Sequence, residues 1–102
     1  MVFSVNELKP YREEIDRIDD QIVNLLAQRF SVCSKVAHVK AKTGIPVRIP
    51  ERIAEVRNRC ATRGAEQGLS YSFVTRIYSL IIEETCLLEE GVISAPHHQD
   101  SP

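Results

Sequence analysis

Apolar positions along the first forty residues recur with the period of a helix. Counting in steps of three and four gives Leu8, Tyr11, Ile15, Ile18, Ile22, Leu25, Arg29, Val32, Val36 and Val39. This is the heptad-like stripe by which a long helix packs against other helices. The pattern predicts a first helix beginning between Leu8 and Pro10, since proline is tolerated only in an opening turn. Glu13, Glu14, Asp16, Asp19 and Asp20 load its first half with negative charge, which suits the positive end of the helix dipole. The helix runs to about Lys42 and stops at Thr43-Gly44, with Pro46 beyond.

A loop from Gly44 to Ile49 follows, and Pro50 opens a second helix. Ile53, Val56 and Cys60 give it helical spacing, and it ends between Gly64 and Gly68. Ser70 is the expected N-cap of a third helix, Tyr71 to about Glu90, with Phe73, Ile77, Leu80, Ile81 and Leu88 as its apolar stripe. Residues 91–102 are polar and punctuated by proline, so they read as a disordered tail behind a helical domain of residues 1–90. The fold class is therefore all-α, three helices with one very long. About 33 residues at ~1.5 Å each make a rod of roughly 50 Å, whereas a compact domain of this size has a radius of gyration near 13 Å. Two shorter helices cannot cover such a seam at both ends. A symmetric partner is the simplest way to bury the rest, so an intertwined homodimer with paired long helices is expected.

Arg29 interrupts the apolar seam. A guanidinium is costly to bury unless it is paired or faces a polar cavity. Eleven residues on, close to three full turns, Lys40 returns to nearly the same azimuth. Two aligned cations in a helical core point to a pocket for an anionic ligand. Equally, Arg29 pairs with a buried carboxylate, or the seam shifts and lets it reach water. Arg12 lies about 100° around the helix from Arg29, so the two do not easily enter one pocket of the same chain. Across a two-fold axis, Arg12 of one subunit has access to the other's pocket. Arg52 lies in the first turn of the second helix, and Arg48 is a further loop candidate. On the third helix, Thr85 and Glu89 are four apart and share a face with Tyr78 and Ile82. Glu89, followed by Glu90 near the helix end, reads either as part of that face or as surface charge.

Composition narrows the partners. The 102 residues are 43% hydrophobic and 26% charged, with a formal net charge of −1. This balance gives no sign of a nucleic-acid binder. No apolar run approaches the ~18 residues of a membrane span, and the start MVFSVNE lacks the basic and apolar regions of a signal peptide. Cys33, Cys60 and Cys86 are an odd, widely spaced set, expected as reduced, half-buried thiols of a cytoplasmic protein. With no C-x-x-C, a lone His38 read as a helix-surface residue, and a tail pair His97–His98, no metal site is expected.

At these residues the chain resembles the all-α class of chorismate mutases and their relatives, the 4-amino-4-deoxychorismate mutases and isochorismate pyruvate-lyases. The resemblance covers residues 8–90 and rests on YREEIDRIDDQIVNLLAQRF, then VAHVKAKTGIPVRIPERI, then FVTRIYSLIIEETCLLEE. It implies an intertwined helical dimer with one pocket per subunit, filled by a small dicarboxylate substrate. It also implies that Arg12 reaches into the partner's site, and that Arg29, Lys40 and Arg52 bind the substrate's carboxylates and ether oxygen. Thr85 and Glu89 match polar positions near that oxygen. Ile49 and Ile53 stand where the family often carries acids for the C4 hydroxyl, a departure shared with the lyases, whereas glutamate at position 89 is more like mutases of secondary metabolism. The implied chemistry is a [3,3] rearrangement, which needs no nucleophile, metal or cofactor. The lyase reaction on isochorismate and a non-catalytic helical dimerisation module are the alternatives.

Overall fold

The computed structural model describes residues 5–95, and among them every regular element is helical: α1 (Val5–Thr43), α2 (Pro50–Glu66) and α3 (Tyr71–Ser94). The chain divides into two compact units, residues 1–32 and 33–102.

Helix α1 begins at Val5, earlier than the sequence pattern predicts, and carries Pro10 inside it. Pro10 cannot donate to the carbonyl of Asn6, but both residues are exposed, so water can take that bond. At the other end the expected stop holds. Gly44 takes φ +76° and its N–H donates to the Lys40 carbonyl at 2.8 Å, closing the last turn through a conformation that favours glycine. Of the described side chains in the N-terminal unit, none is buried.

The second unit is built around the packing of α2 on α3. Val56, Ile82 and Cys86 form its buried centre, with Val47, Ile53, Cys60 and Tyr78 packed against them. Pro50 opens α2, where its missing N–H costs nothing. Ser70 caps α3 as expected, its hydroxyl accepting from the Phe73 N–H at 3.2 Å. Ala61 and Gly64 are buried on α2, and Val74 of α3 approaches Gly64 closely. A Cβ on Gly64 would lie 2.6 Å from Val74 Cγ2, so this crossing requires glycine.

Two features of α3 differ from the sequence reading. Its buried residues are Val74, Ile82, Thr85, Cys86 and Glu89, whereas Phe73, Ile77 and Leu80 of the expected stripe are exposed, Leu80 at 69%. The helix is apolar on two faces, and periodicity cannot say which of them meets α2. The helix also continues to Ser94, four residues past the expected end. Val92 and Ile93 are half-buried and extend the helix through Gly91. It ends where Pro96 forces Ala95 out of the helical region, to φ −64° and ψ 143°. The remainder of the expected tail, including His97–His98, lies outside the described residues. His38 is exposed, as expected. Among the described residues, no helix is long and apolar enough to cross a membrane.

The Gly64 contact generates a paired prediction. Gly64→Ala should lower the unfolding free energy by about 1–3 kcal/mol, the usual cost of overpacking. Gly91→Ala, where an added Cβ meets nothing within 4 Å, should raise it by up to ~1 kcal/mol. Urea titration of the two variants beside wild type measures both.

Candidate active site

The last turn of α1 carries Lys40, whose ammonium is held from two sides. Nζ donates to Oε1 of Glu89 at 2.9 Å and to the carbonyl oxygen of Val47 at 2.9 Å. The pair is largely shielded from water, with 14% of the Lys40 side chain and 8% of the Glu89 side chain exposed. The ammonium has three donors and these bonds use two. The site therefore presents a cation fixed in direction, with donor capacity remaining for an anionic or ether oxygen. The pairing removes the reading of Glu89 as surface charge, because Glu89 is buried.

Thr85, one turn before Glu89 on α3, is also buried. Its hydroxyl donates to the Ile82 carbonyl at 2.9 Å, so in this arrangement its oxygen can only accept from a ligand. Cys86 beside it belongs to the apolar centre, where burial pushes its thiol pKa up. A thiol kept protonated is a packing residue, not a nucleophile. Cys60 and Cys86 are free thiols.

The aliphatic pair shares one end of α2. Ile49 is its N-cap residue and is half-buried. Ile53 donates its N–H to the Ile49 carbonyl at 3.0 Å and packs its side chain on the Val56–Ile82–Cys86 centre. Neither side chain carries a hydrogen-bond acceptor. Arg52, in the first turn of α2, is exposed and paired with Glu55 one turn along. Arg12 and Arg29 belong to the N-terminal unit, Arg12 exposed and Arg29 half-buried.

Arg48 is not a free cation for a ligand. Its Nη1 and Nη2 donate to the two carboxylate oxygens of Glu83 at 2.7 and 3.0 Å. Its Nε and Nη2 donate to Glu90 at 2.9 and 3.2 Å. These bonds hold the Glu83 and Glu90 carboxyls below the usual carboxylate range and raise the Arg48 pKa further. The Val47 carbonyl and this three-residue clasp are the parts of the site that sequence reasoning missed. The available signal was the spacing of Glu83 and Glu90, seven apart and so on one helix face, although nothing in the spacing names Arg48 as their partner.

Comparison with known proteins identifies the family. Residues 11–90 match the family "Chorismate mutase type II". A 4-amino-4-deoxychorismate mutase of Streptomyces venezuelae is 34% identical over 87% of this chain and 86% of its own length. A second protein of that name, from Streptomyces pristinaespiralis, is 28% identical over 90% of this chain and 71% of its own. A chorismate mutase of Methanocaldococcus jannaschii is 30% identical over 94% and 97% respectively. With a match across most of its length and an all-helical fold, the chain belongs to the chorismate mutase type II family.

Proposed function

We propose that this protein catalyses the [3,3] rearrangement of a chorismate-type dicarboxylate, either chorismate to prephenate or 4-amino-4-deoxychorismate to 4-amino-4-deoxyprephenate. The observation that carries the proposal is the shielded, directed Lys40 ammonium. In this reaction the ether C–O bond breaks as a C–C bond forms, with no atom gained or lost. The protein needs to select the compact conformer and to stabilise the charge developing on the ether oxygen. Arg29, Arg52 and the partner subunit's Arg12 are the proposed carboxylate ligands, and Lys40 is the proposed donor to the ether oxygen. Glu89 has two possible parts. Ionised, it orients Lys40 but opposes negative charge on the ether; protonated, it donates a hydrogen bond itself. Thr85 lines the same face, and Ile49 and Ile53 flank the ring substituent.

Homodimerisation is part of the proposal. Leu8, Tyr11, Ile15, Ile18, Ile22, Leu25, Val32, Val36 and Val39, the seam read from sequence, are all exposed in the single chain. Burying a side chain of this size gains about 1.5–3 kcal/mol, so a seam of nine such residues drives association of two chains. The free thiols of Cys60 and Cys86 fit a reducing compartment, and the cytoplasm is the proposed location. Aliphatic residues at 49 and 53 also fit the lyase reaction on isochorismate, which makes that product the second outcome to look for.

Incubation of the protein with chorismate, 4-amino-4-deoxychorismate and isochorismate separately, with products identified by mass spectrometry, should give an isomer of one of the first two. Pyruvate from isochorismate would establish the lyase instead, and no turnover of any would leave a dimerisation module. Arg29→Ala and Lys40→Ala should each lower kcat/KM at least ~100-fold while remaining helical by circular dichroism.

A mixing experiment checks the role of Arg12. Arg12→Ala and Lys40→Ala proteins, each inactive alone, should recover up to about a quarter of wild-type turnover when mixed equally. Half of the dimers are then hybrids with one intact pocket of two. No recovery after demonstrated subunit exchange would assign Arg12 to its own subunit or to none.

A further inference from the structure

Beyond the groups that would meet substrate, the loop of residues 44–49 is held to α3 by an unusual concentration of hydrogen bonds. Arg48 makes four of them, to carboxylates two helical turns apart. Glu83 and Glu90 bracket the stretch of α3 that carries Thr85, Cys86 and Glu89. On the other side of the same peptide unit, Val47 places its carbonyl on Lys40 Nζ and its side chain on the apolar centre. One short loop segment thus touches the Lys40 ammonium, the buried centre and two turns of α3.

The Arg48, Glu83 and Glu90 side chains are 41%, 50% and 43% exposed, so water screens the stability that these ion pairs add. A planar guanidinium shared by two carboxylates, bidentate to Glu83, also fixes distance and angle. A lysine has a single nitrogen and cannot reproduce that fork. The clasp adjoins the peptide between residues 47 and 48, whose carbonyl meets Lys40, and it acts there beside the packing of the Val47 side chain on the apolar centre. Lys40 has a long flexible side chain whose ammonium, among the described residues, donates to Val47 and Glu89. Glu89 is set by α3 itself, whereas the Val47 carbonyl depends on the loop.

We propose that Arg48 is a positioning residue: by clasping Glu83 and Glu90 it holds the Val47 carbonyl against Lys40 and so aims the ammonium at the reacting oxygen. This rests on the rearrangement proposed above for its effect on turnover, but the effect on Lys40 itself can be observed without substrate.

The test uses the full-length protein and the variants Arg48→Ala, Arg48→Lys and the double variant Glu83→Gln/Glu90→Gln. In ¹⁵N-lysine-labelled wild type, the Lys40 NH₃⁺ group, assigned by its loss in Lys40→Met, should give a signal protected from rapid proton exchange. Arg48→Ala and the double variant should lose that signal while their melting temperatures fall by no more than about 4 °C. Arg48→Lys should restore it in part. On the substrate that wild type turns over, the same variants should lose about 10- to 100-fold in kcat with KM changed less than about threefold, as for misplacement of a reacting group. An unchanged Lys40 signal in Arg48→Ala overturns the proposal. So does a lost signal with kcat unaffected, or a loss of activity that only tracks a large fall in melting temperature. If wild type turns over none of the substrates, the proposed reaction fails, while the Lys40 signal still decides whether Arg48 aims the ammonium.

Discussion

The ion pair between Lys40 and Glu89 is the constraint around which the second unit is arranged. Removing two charges from water is costly, and attraction between them offsets that cost only when the geometry is good and the remaining donors are satisfied. Each group therefore needs its partner in place. Lys40 comes from the last turn of α1, Glu89 from late in α3, and the Val47 carbonyl from the loop between α1 and α2. The end of α1 and the loop just after it must meet late α3, with Lys40 and Glu89 49 residues apart, and each arrival has a local cause. Gly44 ends α1 just past Lys40, Val47 is anchored in the apolar centre, and Gly64 lets α3 pack close on α2. A site of this kind is a polar exception inside a helical core, maintained by the packing around it.

The surface of the chain has a complementary property. The long apolar seam of α1 is exposed, and Phe73, Ile77, Leu80 and Leu87 leave further apolar area exposed on α3. Contiguous exposed apolar surface marks an interaction site in a soluble protein. Under the proposed dimer these exposed faces and the substrate pocket have one explanation. In that dimer a second chain would both cover the seam and bring Arg12, so assembly and completion of the site would be a single event.

Much of this was legible in the sequence, and the residues that were not explain why. The number and order of the helices follow from the seam, from Pro50 and Ser70, and from the stop at Thr43-Gly44. Lys40, Thr85 and Glu89 could be singled out by spacing, and the first is now paired with the last. The buried face of α3 was misread because Phe73, Ile77 and Leu80 are as apolar as Val74 and Ile82, and the close approach of Val74 to Gly64 marks the face that meets α2. The extension to Ser94 was missed because Gly91 looks like a stop, whereas half-burial of Val92 and Ile93 outweighs its cost. The contacts of Arg48 with Glu83 and Glu90 were hidden for a different reason. A loop arginine has no periodicity, and its two partners lie 35 and 42 residues away.

The central claim is that Lys40 and Glu89 form a mutually dependent buried pair rather than two solvated side chains in contact. The most direct measurement is a double-mutant cycle of unfolding free energies for Lys40→Met, Glu89→Leu and the combined variant, at fixed protomer concentration. The account predicts that each single change costs about 3 kcal/mol or more, because it leaves the other charge buried and unpaired, and that the double variant recovers most of the loss. Single costs below ~1 kcal/mol that simply add in the double variant, as for an exposed pair, would contradict it.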